Sequence, residues 1–171
     1  MTPLRVALLD QADGGQARQL DAALRAAGHE PRLIGSRAVA QAEALLRRRG
    51  FTPALTHVPF ATLELQRADV DLAHAFTAPD AAAALAWRRL GGGPVVFTCC
   101  ERIDRGSVAN ARQRLATLTR ALGQPDAVVA VDDGVRADVE RWFALSLAVV
   151  PAGDVHAHEA LYRKLLAASA G

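Results

Sequence analysis

The sequence predicts an α/β fold: a single doubly wound, Rossmann-like parallel sheet domain with helices on both faces. Three observations carry that expectation. Short apolar runs recur along the chain with little polar alternation, as strands buried on both faces require. Most are followed by a segment with helical apolar spacing, the rhythm of a parallel sheet. And 171 residues are one domain's worth of chain, enough to bury about 70% of the surface exposed on unfolding.

The elements follow in order. Residues 4–9 form the first expected strand, bounded by Asp10, Asp13, Gly14 and Gly15. A helix then starts near Gln16, with Leu20, Ala23, Leu24 and Ala27 on one face and Gly28 as its stop. Residues 30–34 make the second strand. Val39, Ala42, Leu45 and Leu46 form another apolar stripe, ended by Gly50. Residues 53–58 read as a weaker strand and 60–67 as a short helix. Two further strands, 70–75 and 94–98, flank an alanine-rich helix over 79–90. Ser107 suits the N-cap of a helix carrying Val108, Ala111, Leu115, Leu118 and Leu122. Residues 127–131 are a very apolar strand, Val135, Val139 and Trp142 mark a helix, and 147–150 form the last strand. Val6, Leu8, Val95, Phe97, Val129 and Val131 are the expected centre of the sheet. With no linker, internal repeat or low-complexity tract beyond the alanine run, residues 1–154 are expected to form the domain. Residues 155–171 are expected to form a helix packed back on it, with Leu161, Leu165 and Leu166 on the core and Tyr162 at the border.

Composition narrows the function. Hydrophobic residues make up 51% of the chain and charged ones 22%, which excludes a disordered segment. The net charge of +2 is spread among acids, and Arg47-Arg48-Arg49 at a helix end reads as a solvated terminus, so no nucleic-acid partner is expected. No signal peptide, transmembrane run or lipidation motif is present, and two adjacent cysteines make no disulfide framework; a cytoplasmic protein is expected.

Folds of this class bind ligands at the carboxyl ends of their strands. The Gly14-Gly15 turn stands there at the start of a helix, where backbone N–H groups suit an anion; a tight turn that needs small residues is the plainer reading. No G-x-G-x-x-G motif occurs, and Lys164, the only lysine, completes no phosphate loop, so no cofactor is expected. Cys99 and Cys100 lack C-x-x-C spacing and read as small apolar strand-end residues. His156 and His158 point to different faces of a helix. No metal is expected.

The order of motifs resembles the N-terminal half of retaining glycosyltransferases with the GT-B fold, the family 4-like enzymes. Gly14-Gly15-Gln16 followed by Ala27-Gly28-His29-Glu30 is similar to the family's first strand–helix boundary. Asp71-Leu72-Ala73-His74-Ala75-Phe76 resembles its Asp-Val-Val-His-Ala-His-Phe strand end, and Pro94-Val95-Val96-Phe97-Thr98-Cys99-Cys100 its Pro-Val-Val-x-Thr-x-His. Residues 125–138 resemble the strand ending in Val-Ser-x-x-Val-Arg-x-Asp. Val149-Val150-Pro151-Ala152-Gly153-Asp154 is similar to the hinge that leads to a second, donor-binding domain.

The resemblance implies two facing Rossmann-like domains, with the nucleotide sugar held by the second. Residues 159–166 resemble the family's last helix, which crosses back onto the first domain. The sequence therefore predicts a naturally short chain that lacks the donor domain and keeps this crossing helix. Any activity is expected to be hexosyl transfer from a nucleotide sugar that needs a separate donor domain, the chain alone being inactive and carrying no catalytic residue. Gly14, Gly15, Gln16, His74, Thr77 and Arg102 are the expected rim of a weak site for a sugar or sugar phosphate, although a strand-end histidine is more often a satisfied, partly buried one. The family's second histidine of His-x-His falls on Phe76, the histidine after the next strand on Cys100, and the hinge asparagine on Ala152. Phe76, Cys100 and Ile103 are then expected on an exposed apolar face, an interface for a homodimer or a separate donor-domain protein. A non-catalytic interaction protein is the other reading. A receiver-like module, to which Asp10, Asp13 and Asp132 would contribute, fits less well without a strand-end lysine.

Overall fold

The computed structural model describes residues 2–11, 15–35, 53–104 and 112–169. Six parallel strands form one sheet in the order β2-β1-β3-β4-β5-β6. These are β1 (Arg5–Leu9), β2 (Glu30–Ile34), β3 (Leu72–Ala75), β4 (Val95–Cys99), β5 (Ala127–Ala130) and β6 (Ala148–Val149). The described helices are α1 (Gln16–Ala26), α2 (Pro53–Arg67), α3 (Ala78–Arg89), α4 (Arg112–Gly123), α5 (Asp133–Phe143) and α6 (Val155–Ser169). The stripe from Val39 to Leu46, Arg47-Arg48-Arg49 and the Ser107 cap lie outside the described residues.

The chain steps from β1 outward to β2 and afterwards the other way, from β3 to β6. Right-handed crossovers then put α1 on one face of the sheet and α2 to α5 on the other. α6 leaves the β6 edge and returns across the α1 face.

Side chains on successive strand residues alternate between the faces. Val6 and Leu8 of β1, Leu72, Val96 and Phe76 join Leu20 and Leu24 of α1 and Tyr162 of α6 in one core cluster. Ala7, Leu9, Ala73 and Val95 point the other way, towards Ala61 and Leu65 of α2 and Ala83, Ala84 and Trp87 of α3. Phe97, Cys99 and Ala130 continue that second layer beneath Leu122 of α4 and Val135 and Val139 of α5. Val6, Leu8, Val95, Phe97 and Val129 are buried. Val131 follows β5 and is only half-buried.

The expected strand at 53–58 is helix. α2 runs unbroken from Pro53 to Arg67 with Pro59 inside it. Proline at helix position N1 is favoured and an interior proline is costly. Here packing against α3 (Ala61 and Leu65 beside Ala83, Ala84 and Trp87) outweighs that local cost. Tyr162 is not at a border: it is fully buried, while Leu161, Leu165 and Leu166 are partly buried against the same core. A close approach explains Gly93, where a Cβ would stand 2.1 Å from the Asp71 carbonyl oxygen. Among the described residues no helix is long and apolar enough to cross a membrane.

Candidate functional site

The carboxyl ends of the strands bring together Asp10 and Gln11 after β1, Phe76 and Thr77 after β3, Cys100 to Ile103 after β4 and Asp132 after β5. Gly15 begins α1 in the left-handed region at φ 82° with no side-chain cap. A Cβ there would meet nothing within 4 Å. The glycine is required by the backbone angle, not by crowding. Gln16 is half-buried beside it. Gly14 lies outside the described residues.

Thr77 works as a structural residue. Its Oγ1 accepts the Asp80 N–H at 3.3 Å and donates to Asp80 Oδ2 at 2.6 Å, which caps α3. Asp80 is fully buried and is the hub of the local chemistry. Its Oδ2 also accepts the Gln11 N–H at 3.0 Å, and its Oδ1 lies 2.6 Å from His57 Nε2. One carboxylate thereby ties α2, α3 and the end of β1 together. The pattern Thr77-Ala78-Pro79-Asp80 is a capping signature in the sequence. Its partner His57 carries no such signal.

His74 is buried at the centre of the sheet, not on a rim. Its Nδ1 lies 2.6 Å from the Tyr162 hydroxyl and its Nε2 2.6 Å from Thr98 Oγ1. Burial, and then the neighbouring His158, push its pKa well below the ordinary imidazole value. A neutral ring with one donor and one acceptor fits two hydroxyls well, and no ring nitrogen is left for a ligand.

Phe76 stacks on His74 with ring centroids 4.4 Å apart. It is 2% exposed and Ile103 is 3% exposed, so these two do not form an exposed apolar face. The reason is the return of α6, whose Tyr162 shares a core cluster with Phe76, while Ile103 sits in the layer beneath α5. Cys100 is half-buried against the α6 layer, and Cys99 faces the opposite layer. Burial is the main cause that pushes both thiols up to about 12; at Cys99 the Glu101 backbone hydrogen bond opposes it, and at Cys100 the Cys99 thiol and then nearby carboxylates add to it. Protonated thiols are poor nucleophiles and poor metal ligands.

Arg102 does reach the rim, but engaged. Its Nε donates to Asp138 Oδ2 at 2.6 Å, and the Ile103 N–H reaches the same oxygen at 3.2 Å. The hydrogen bond lowers Asp138 and raises Arg102. Asp132 caps α5 by accepting the Val135 N–H at 2.8 Å. Beside Cys99, the charges that act on the Cys100 thiol are Asp10, Glu101 and Asp132. Asp10, Glu101 and Asp132 thus follow the carboxyl ends of β1, β4 and β5, and Arg102, paired with Asp138, stands at the same rim beside Asp132.

Against this geometry, residues 15–153 match the sequence model described as Glycosyltransferase Family 4. The chain belongs to that family. The matched span runs from the turn before α1 to the turn before α6. A solved structure of sucrose-phosphate synthase from Thermosynechococcus elongatus superposes with a TM-score of 0.65 at 17% identity, covering 94% of this chain and 98% of that one. At that identity the likeness is one of fold. A structure described as an oxidoreductase from Sinorhizobium meliloti reaches a TM-score of 0.39 at 15% identity, over 77% of this chain and 37% of that one, and carries no argument. No curated protein matches the chain.

Proposed function

We propose that this family 4 domain is the acceptor-side wall of a sugar-transfer site, and that its cleft takes an uncharged, hydroxyl-rich sugar. Asp10 after β1 and Asp132 after β5, at the carboxyl ends of the strands, are the observation that carries this reading. Carboxylates accept hydrogen bonds from sugar hydroxyls readily, and such charge-assisted bonds are the stronger kind. Both carboxylates repel a phosphate, and Arg102, at the same rim, is already paired with Asp138. A sugar phosphate, equally expected from the sequence, is thus disfavoured.

Transfer also needs a donor held opposite the acceptor, because positioning supplies much of the rate. The described residues build one wall. The donor side is a second domain, in the same polypeptide or in a separate one. A non-catalytic role in self-association through Phe76, Cys100 and Ile103 has less support, since two of the three are buried under α6 and α5.

The test is an NMR titration of the chain with D-glucose and with D-glucose 6-phosphate. The expected result is weak glucose binding, with a dissociation constant of about 1 mM or above, shifting the amides of Gln16, Cys100 and Asp132, and weaker binding of the phosphate. Tight, micromolar binding of UDP-glucose to this chain alone would contradict the assignment to the acceptor side.

A further inference from the structure

Three buried histidines lie under one helix. His158 and Tyr162 are one turn apart on α6 and face the sheet together. His158 is fully buried, and its ring centroid stands 5.2 Å from that of His74. Neither of its ring nitrogens has a hydrogen-bond partner. His29, in the turn after α1, accepts the Leu4 N–H through Nδ1 at 3.3 Å. Its Nε2 faces Glu159 of α6 from 3.5 Å.

The charges around this seat do little to balance an added proton. α1 offers Ala17, Leu20 and Leu24, β1 offers Val6 and Leu8, and β4 offers Val96, Thr98 and Cys100, whose thiol stays protonated. Tyr162, which burial holds in its neutral form, is the other titratable group on the α6 side of His74. Glu159 is shared between His29 and Arg163. Asp154 caps the helix through the Ala157 N–H. Asp154 and the Pro151 carbonyl favour a charge on His158, but burial outweighs them. A proton on His74 would replace its acceptor nitrogen by a second donor, and a proton on His158 would place a charge where the cost of burial exceeds what the Pro151 carbonyl and Asp154 return. Two such charges 5.2 Å apart would also repel each other.

We propose that α6 is an acid-released latch: protonation of the His74–His158 pair undocks residues 155–169 from the sheet while β1, β3 and β4 remain folded. The helix is buried along one side only, so it can open at lower cost than the sheet can unfold. Undocking uncovers Phe76 and Cys100, next to the carboxyl-end cleft. The inference is independent of the sugar reading.

Hydrogen exchange followed by mass spectrometry on the whole chain, at pH 7.5 and pH 5.0 and corrected for intrinsic exchange, tests it. Peptides within 155–169 should lose protection about tenfold or more at pH 5.0, relative to peptides of β1 and β4. In His158→Leu, which removes the unpartnered ring and keeps an apolar contact, that acid loss should shrink severalfold. Should this variant not fold at pH 7.5, His158→Gln carries the same comparison, because it removes the titration and keeps a polar side chain. Equal loss of protection in α6 and the strands would overturn the latch, as would an α6 unaffected by acid or an acid response unchanged in the variant.

Discussion

The two faces of the central strands are built on opposite rules. On the face under α2 to α5, β3 and β4 present Ala73, Ala75, Val95, Phe97 and Cys99. On the face under α1 and α6, the same strands present His74 and Thr98 among Leu72, Val96 and Phe76, and the covering helix supplies Tyr162 and His158. One face is held by close packing, the other by a chain of hydrogen bonds set in an apolar frame. Packing tolerates changes of pH and is hurt by loss of volume. A buried polar chain keeps its volume and is hurt by one lost partner or one added charge. The packed face carries the scaffold, and the face that responds to acid lies under the returning helix.

The largest effect expected from this contrast is on the apolar face. Phe97→Ala should cost about 3–5 kcal/mol in denaturant unfolding, from lost transfer energy and the cavity left behind. A loss below 1 kcal/mol would mean that the β4 layer is not the packed core described. On the polar face, Tyr162→Phe keeps the ring and removes the hydroxyl bound to His74. It should cost about 1–3 kcal/mol, the penalty for leaving a buried imidazole nitrogen unpaired. If the midpoint is unchanged, the hydrogen-bonded chain contributes nothing to docking.

Acid separates the faces next. His74 and His158 both have folded values below the ordinary 6.5. Between the folded and unfolded values the unfolded chain binds more protons, so stability is complete above about pH 6.5 and is lost as pH falls below it. The slope should not exceed about 1.4 kcal/mol per pH unit for each histidine. The two cysteines act at the other extreme. Their folded values of about 12 lie above the ordinary 9.0, so the stability they confer is full below pH 9 and declines above it. Midpoints measured from pH 5 to 10 should therefore form a plateau with two falling shoulders, and His158→Leu should flatten only the acid one.

The smallest effect is a control that touches neither face. Ala144 ends α5 in the left-handed region at φ 52°. Ala144→Gly should be stabilising by about 0.5 kcal/mol, the relief of that conformation less the added freedom of the unfolded chain. A clear loss of stability would show that the Ala144 methyl group makes contacts worth more than the strain.

The sequence made the scaffold readable because its signals are local. The bounds of β2 coincide with residues 30–34, and α1 starts at Gln16 as its stripe predicts. Strand runs apolar on both sides gave the parallel sheet, and five short motifs in order gave the family. What failed was set by distance. The helix at Pro53–Arg67 looked like strand and short helix because Pro59 and Val58 disfavour helix locally, and its packing on α3 is invisible in sequence. His74 and Tyr162 are 88 residues apart, so nothing local says that the histidine is satisfied. For the same reason Phe76 looked exposed: α6, which covers it, arrives from the far end of the chain. Asp80 as a hub was half legible, through the capping pattern with Thr77.

The claim that most needs testing is that carboxylates set the ligand class of the cleft. The direct measurement compares the affinities of wild type and the double variant Asp10→Asn, Asp132→Asn for D-glucose and D-glucose 6-phosphate by NMR. Asn still caps a helix, so the fold should persist. Removing two negative charges should improve binding of the phosphate about tenfold and leave glucose affinity unchanged or weaker. If the phosphate binds the wild type as well as glucose does, and the double variant changes neither affinity, the carboxylates do not select the ligand and the reading of an uncharged-sugar site is wrong.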